Sequence, residues 1–202
     1  MCHEEPKVVP SSGFRWDVLQ DEVREWSVRN FGDNPAHRPI LGIIEELGEL
    51  IKAEHHDRNT LEAIDAVGDV MIYMADFCGK TNRKLMYIAG YAHGRVEVAK
   101  RGLNSSILDA GIPSSSVSVL MSKLAHHWLK SEQGIRKGEN HERGITNTLL
   151  EIVELLAYYY PVESATGETW KQVSQRDWKK NAETGQVDVG AGEGQEPDTA
   201  GT

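Results

Sequence analysis

The chain has 202 residues, enough for one domain, or one duplicated domain, with a substantial core. Its formal charge is −9, and the stretch from Ala182 onward contributes five acids (Glu183, Asp188, Glu193, Glu196, Asp198) and no base, leaving about −4 on the rest. A mildly acidic body without a basic face argues against duplex nucleic acid as a partner, and two cysteines, Cys2 and Cys78, make neither a disulfide framework nor a zinc spacing. No basic region followed by an apolar run opens the chain, and no apolar stretch is long enough to span a membrane, so a cytoplasmic protein is expected.

Residues 1–12 read as a flexible arm. Helical spacing then begins, with Phe14, Val18, Leu19, Val23 and Trp26 in a first helix that runs to Asn30 and breaks at Phe31–Pro35. A second helix is expected from about Pro39 to His56, with Ile40, Ile43, Ile44, Leu47, Leu50 and Ile51 as its apolar stripe. After a short turn, Thr60 is the expected cap of a third helix that runs to about Cys78. A fourth helix is expected around 85–101, followed by a Ser- and Gly-containing connector over 102–116. Two more helices, 117–132 and 145–160, flank a polar stretch and end at Pro161. A short basic helix over 168–180 precedes a tail, 182–202, whose Gly- and acid-rich composition predicts disorder. Strand-like alternation is nowhere sustained, so the fold class is all-α.

The second and third helices carry the chemistry. Glu46 and Glu49 are three apart, Asp65 and Asp69 four apart, so each pair shares one helix face. Fifteen residues separate Glu49 from Asp65, enough for a tight turn that lets the two pairs face each other. Four carboxylates with only Lys52 and Arg58 as nearby bases are best tolerated around a hard divalent cation such as Mg²⁺, with Mn²⁺ as a substitute. Glu45 is the candidate base for an attacking water, with Glu62 as an alternative.

A faint internal repeat sets the helix pair 39–78 over the pair 117–160, with three extra residues in the second turn. In that register Glu46 meets Leu124, Glu49 meets His127, Asp65 meets Thr146 and Asp69 meets Leu150. Both a true duplication and a chance match of two amphipathic pairs fit this pattern.

The run Leu41-Gly42-Ile43-Ile44-Glu45-Glu46-Leu47-Gly48-Glu49-Leu50, followed by Asp65-Ala66-Val67-Gly68-Asp69-Val70, resembles the MazG-like nucleoside triphosphate pyrophosphohydrolases, of the all-α superfamily that includes the dimeric dUTPases and dCTPases. The family signature is Glu-Glu-x-x-Glu, a gap, then Glu-x-x-Asp. The first half matches in full; in the second, Ala66 stands where the family has Glu, and Asp65 stands one position earlier. Glu62-x-x-Asp65 is a rival register. The segment Trp170–Asn181 is similar to the C-terminal part of some MazG-like proteins, and by that likeness Lys171, Arg176 and Lys179 reach substrate phosphates. A solvated basic helix is the other reading of these three.

The resemblance implies a four-helix-type core completed in a homodimer or higher oligomer, with MazG-like catalytic helices over 13–103 and a second helical half over 104–181 packing on them. It implies Glu46, Glu49, Asp65 and Asp69 as metal ligands and, as the reaction, a nucleoside triphosphate plus water giving the monophosphate and diphosphate. A dUTP- or dCTP-specific enzyme and a non-catalytic nucleotide- or partner-binding protein are the alternatives. His55-His56 and His126-His127 read as surface or packed histidines, and Trp16, Trp26 and Trp128 as core.

Overall fold

A computed structural model describes residues 13–101, 111–136 and 138–176. Among the described residues there are seven α-helices and no strand. They are α1 (Trp16–Phe31), α2 (His37–Lys52), α3 (Thr60–Lys80), α4 (Leu85–Lys100), α5 (Ser114–Gln133), α6 (His141–Tyr159) and α7 (Val162–Val173). The all-α expectation holds. No helix among these is long and apolar enough to cross a membrane.

Several boundaries differ from the sequence reading, each for a local reason. The second helix ends at Lys52, and Ala53–Asp57 widens into a π-helical turn closed by Arg58 at φ 51°. The cap of α3 is Asn59, not Thr60: its side chain accepts from the amides of Leu61 (3.1 Å) and Glu62 (3.4 Å). Helix α5 starts at Ser114, directly after Pro113. Helix α6 starts at His141 because Asn140 accepts from Arg143 N at 2.9 Å. The last helix is displaced furthest. It starts immediately after Pro161 and ends at Val173, so the basic segment does not form one helix over 168–180.

Helix α3 lies at the centre, packed by α1, α2 and α7, and it is apolar on most of its circumference. Val67, Val70, Met71, Met74 and Phe77 are completely buried. Helix α6 packs between α4 and α5, and the α1–α4 and α2–α5 contacts join the two groups around one continuous core. Burial of this many large apolar side chains, at about 1.5–3 kcal/mol each, is the main stabilising contribution.

Polar side chains tie the helices in register. Gln20 donates to the Arg83 carbonyl (2.9 Å) and accepts from Leu85 N (2.7 Å), which satisfies an otherwise orphan amide at the start of α4. The Tyr160 hydroxyl donates to Glu54, and Arg83 pairs with Glu142. Trp170 donates its indole N–H to Glu22 at 2.9 Å, and Trp26 donates to the Arg176 carbonyl at 3.1 Å, fastening the end of α7 to α1.

Candidate functional site

Glu45, Glu46 and Glu49 lie on α2, and Asp65 and Asp69 on α3, two helices packed side by side. Glu45, Glu49 and Asp65 are exposed, while Glu46 and Asp69 are half-buried. Glu46 is pushed up to about 8, first by burial, then by the charges of Asp69, Glu49, Glu45 and Asp65. Asp69 is pushed up to about 7 by burial and then by Asp65, with Arg176 pulling the other way and Glu49 adding to the rise. The five acids named from sequence therefore share one electrostatic field.

Ala66 is 4% exposed and packs into the core, whereas Asp65 stands on the acidic face and accepts from the Thr169 hydroxyl at 3.4 Å. Position 65, not 66, presents a carboxylate to Asp69. Glu62 is exposed and is not among the charges that perturb Glu46 or Asp69.

The donor set is all oxygen, which suits Mg²⁺ or Mn²⁺. Its like charges are unfavourable without a counter-ion, and they fit a divalent cation on that ground. Among the described residues no group of three or more His, Cys, Asp or Glu side chains already stands in ligating geometry.

Beside the acids lies a cavity of about 490 Å³ between α1, α2, α3 and the end of α7. Glu45, Glu46 and Asp69 line one end, with Arg176 close by; Trp26, Phe31 and Tyr73 supply aromatic walls. Tyr73 is pushed up to about 12 by burial and then by Glu46 and Asp69, so it faces the cavity as a neutral phenol. Two close approaches shape this region. A Cβ at Gly42 would lie 2.5 Å from the Tyr73 ring, and a Cβ at Gly68 would lie 2.1 Å from Thr169 Oγ1. These glycines let Tyr73 lie flat on α2 and let α7 reach α3.

Asp76 lies deeper in the cavity wall, one more turn along the face of Asp69 and Tyr73. It pairs with Lys80 at 3.1 Å, and Arg24 stands 4.0 Å away. The Asn34 side-chain amide oxygen, Oδ1, is buried at the cavity edge without a hydrogen-bond partner. The sequence reading missed Asp76, Asn34 and Phe31. The i+7 spacing from Asp69 could have flagged Asp76; the others are brought in by tertiary packing alone.

Of the three basic candidates, Arg176 lines the cavity, Lys171 is exposed on α7 and does not, and Lys179 lies outside the described residues. Trp26 is 8% exposed and belongs both to the α1–α7 junction and to the cavity wall; Trp16 is core and Trp128 packs edge-on against Phe77. A larger open groove of about 620 Å³ between α4, α5 and α6 contains none of the predicted site residues. No family model, curated protein or solved structure matches the chain.

Proposed function

We propose that the protein is a Mg²⁺-dependent nucleoside triphosphate pyrophosphohydrolase. The observation that carries this reading is that Glu45, Glu46, Asp69 and Arg176 line one aromatic-walled cavity, with Glu49 and Asp65 close enough to Glu46 and Asp69 to raise their pKa values. The cavity can receive a nucleobase, the acids can hold a cation, and Arg176 can pair with a phosphate. The resemblance of Glu45–Glu49 and Asp65–Asp69 to the MazG-like motif supports the same reading.

In the reaction, water oxygen attacks the α-phosphorus, the α–β anhydride bond breaks, and diphosphate leaves with the bond's electron pair. Glu46, Glu49, Asp65 and Asp69 would hold Mg²⁺, which supplies charge screening on the phosphates when bound. Glu45, exposed and adjacent, takes the proton from the attacking water. Arg176 orients the triphosphate, and its position is fixed by the Trp26 indole bound to its own carbonyl. Trp26, Phe31 and Tyr73 hold the base and keep water from the apolar end.

Diphosphate release from a panel of ribo- and deoxyribonucleoside triphosphates with Mg²⁺ tests the reading. We expect turnover of at least one substrate by the wild type and loss in Glu49→Ala. One strongly preferred pyrimidine would narrow the activity to dUTP or dCTP hydrolysis. A second reading is a non-catalytic nucleotide-binding protein, motivated by Ala66 standing where the MazG-like motif has Glu. Tight nucleotide binding with no diphosphate release from any member of the panel would select it.

A further inference from the structure

The sequence reading takes His126-His127 as surface or packed residues, yet the fold gathers them with His141. The three rings, two from the last turns of α5 and one from the first residue of α6, have centroids 5.3, 5.7 and 6.3 Å apart. His141 is 7% exposed, and its Nε2 stands 3.2 Å from the Ile135 carbonyl. A carbonyl only accepts, so Nε2 carries a proton, and in the neutral ring the lone pair lies on Nδ1, the atom nearest His127 and Glu139. That Nδ1 is 3.4 Å from His127 Nδ1. Glu139 completes the group, its Oε2 lying 3.9 Å from both His141 Nδ1 and His126 Nε2.

These distances have a chemical meaning. Around tetrahedral Zn²⁺, with bonds of about 2.0–2.1 Å, donor atoms sit about 3.4 Å apart. The His127–His141 pair already has that spacing, and Glu139 is about half an ångström beyond it. The supporting groups match as well. A ligating imidazole that donates its other N–H to a backbone carbonyl is the usual outer-shell arrangement, and Arg136 Nη1, 3.6 Å from Glu139 Oε1, engages the other carboxylate oxygen. Gly144 makes room: a Cβ there would stand 2.5 Å from His127 Nδ1.

We propose that His126, His127, Glu139 and His141 form a structural Zn²⁺ site that clamps the end of α5 to the start of α6. Three nitrogens and one carboxylate suit Zn²⁺ and not Mg²⁺, so this site is distinct in chemistry from the acidic one. No three donors yet meet at one point. Closure requires rotation of the exposed Glu139 and the half-buried His126 side chains toward the His127–His141 edge.

The test is a Co²⁺ titration of the metal-free full chain carrying Glu49→Gln, which weakens the oxygen site, followed by displacement with Zn²⁺. Four-coordinate Co²⁺ gives intense visible bands that six-coordinate, oxygen-bound Co²⁺ lacks. We expect one equivalent of the intense species, displaced by Zn²⁺, and a rise in Tm with Zn²⁺. His127→Gln and Glu139→Gln should each weaken binding by at least about 100-fold, since even outer-shell losses reach that size. His141 is left intact because its ring is packed into the hairpin, and far-UV circular dichroism confirms that the two variants remain folded. Absence of the visible bands in the parent chain, or bands undiminished in both variants, would overturn the site; the latter would place the metal elsewhere, as at Cys2 and His3.

Discussion

The α2–α3 and α5–α6 hairpins are built alike and equipped differently. Each joins two long helices through a short turn, and each second helix is capped by an asparagine, Asn59 or Asn140. The first sets Glu46 and Asp69 in the wall of a cavity beside the central helix, with Glu49 and Asp65 exposed next to them; the second sets three imidazoles and Glu139 at its turn. In the repeat register Glu49 corresponds to His127, so one position carries an oxygen donor in one hairpin and a nitrogen donor in the other. The other three acids correspond to Leu124, Thr146 and Leu150, of which Leu124 is completely buried. On the two proposals, comparable scaffolds would favour a hard cation or a borderline one through a few side chains, and the crowded carboxylates of the acidic hairpin are a cost to the metal-free fold.

That contrast can be broken by charge. Glu49→Ala should lower diphosphate release by more than about 100-fold, beyond the typical effect of losing an outer-shell partner. Glu46→Gln should be similarly inactive, yet raise the Tm of the metal-free protein at about pH 8.5 by roughly 2–4 °C per kcal/mol of relieved repulsion. Inactive and stabilised is the signature of a site that sacrifices stability for binding. A Glu46→Gln protein that is inactive and less stable would instead make Glu46 a structural residue.

The second break is steric. Gly68→Ala forces a Cβ to within 2.1 Å of Thr169 Oγ1 and 3.0 Å of the Ala165 carbonyl, so α7 must shift off α3. We expect a loss of about 1–3 kcal/mol, the usual penalty of overpacking. Because α7 leads to Arg176, KM for the nucleotide should rise more than kcat falls. Gly94→Ala in α4, with nothing within 4 Å, is the control and should stabilise by about 0.5–1 kcal/mol. Thermal melts and steady-state kinetics of the two variants separate crowding at α7 from the general effect of removing a glycine.

Much of this arrangement was legible from residue spacing. The 3.6-residue periodicity located the first six helices and misplaced the seventh, and the three- and four-residue spacings put Glu46 with Glu49 and Asp65 with Asp69 on shared faces of α2 and α3. What escaped had competing physics. Gly144 reads as a turn residue, but it lies inside α6 because the His127 ring occupies the space above it. The serines at 114–116 read as connector, yet they form the first turn of α5 behind Pro113. The face of α7 that packs on α3 consists of Val162, Ala165, Thr166 and Thr169, too small and polar to show an apolar stripe. The cavity walls, Trp26 and Phe31 from α1 and Arg176 from beyond α7, come together only through tertiary packing that spacing along the chain does not encode.

The finest comparison is between the acidic hairpin with and without its cation, read through pH. Glu46 and Asp69 hold protons in the folded state up to about 8 and about 7, against ordinary values of 4.5 and 3.8. Between those limits the folded protein binds more protons than the unfolded chain, so stability falls as pH rises. Their contribution is fully present below about pH 4 and lost by about pH 8. His127 acts in the opposite sense, because its depressed value makes the folded form resist protonation below its ordinary 6.5. The wild type must therefore be compared with the Glu46→Gln, Asp69→Asn double variant, which retains the histidine effect. Metal-free, the difference in Tm between the two proteins should widen by roughly 6–11 °C from pH 5 to pH 8.5, counting only about one pKa unit from each acid at about 1.4 kcal/mol per unit and about 2–4 °C per kcal/mol. Saturating Mg²⁺ should close most of that gap in the wild type at the upper pH, since a cation bound to the ionised carboxylates replaces the protons they release. A gap that does not change with pH would remove the electrostatic coupling between α2 and α3. A gap that widens with pH but ignores Mg²⁺ would leave the acids coupled and deny them the cation.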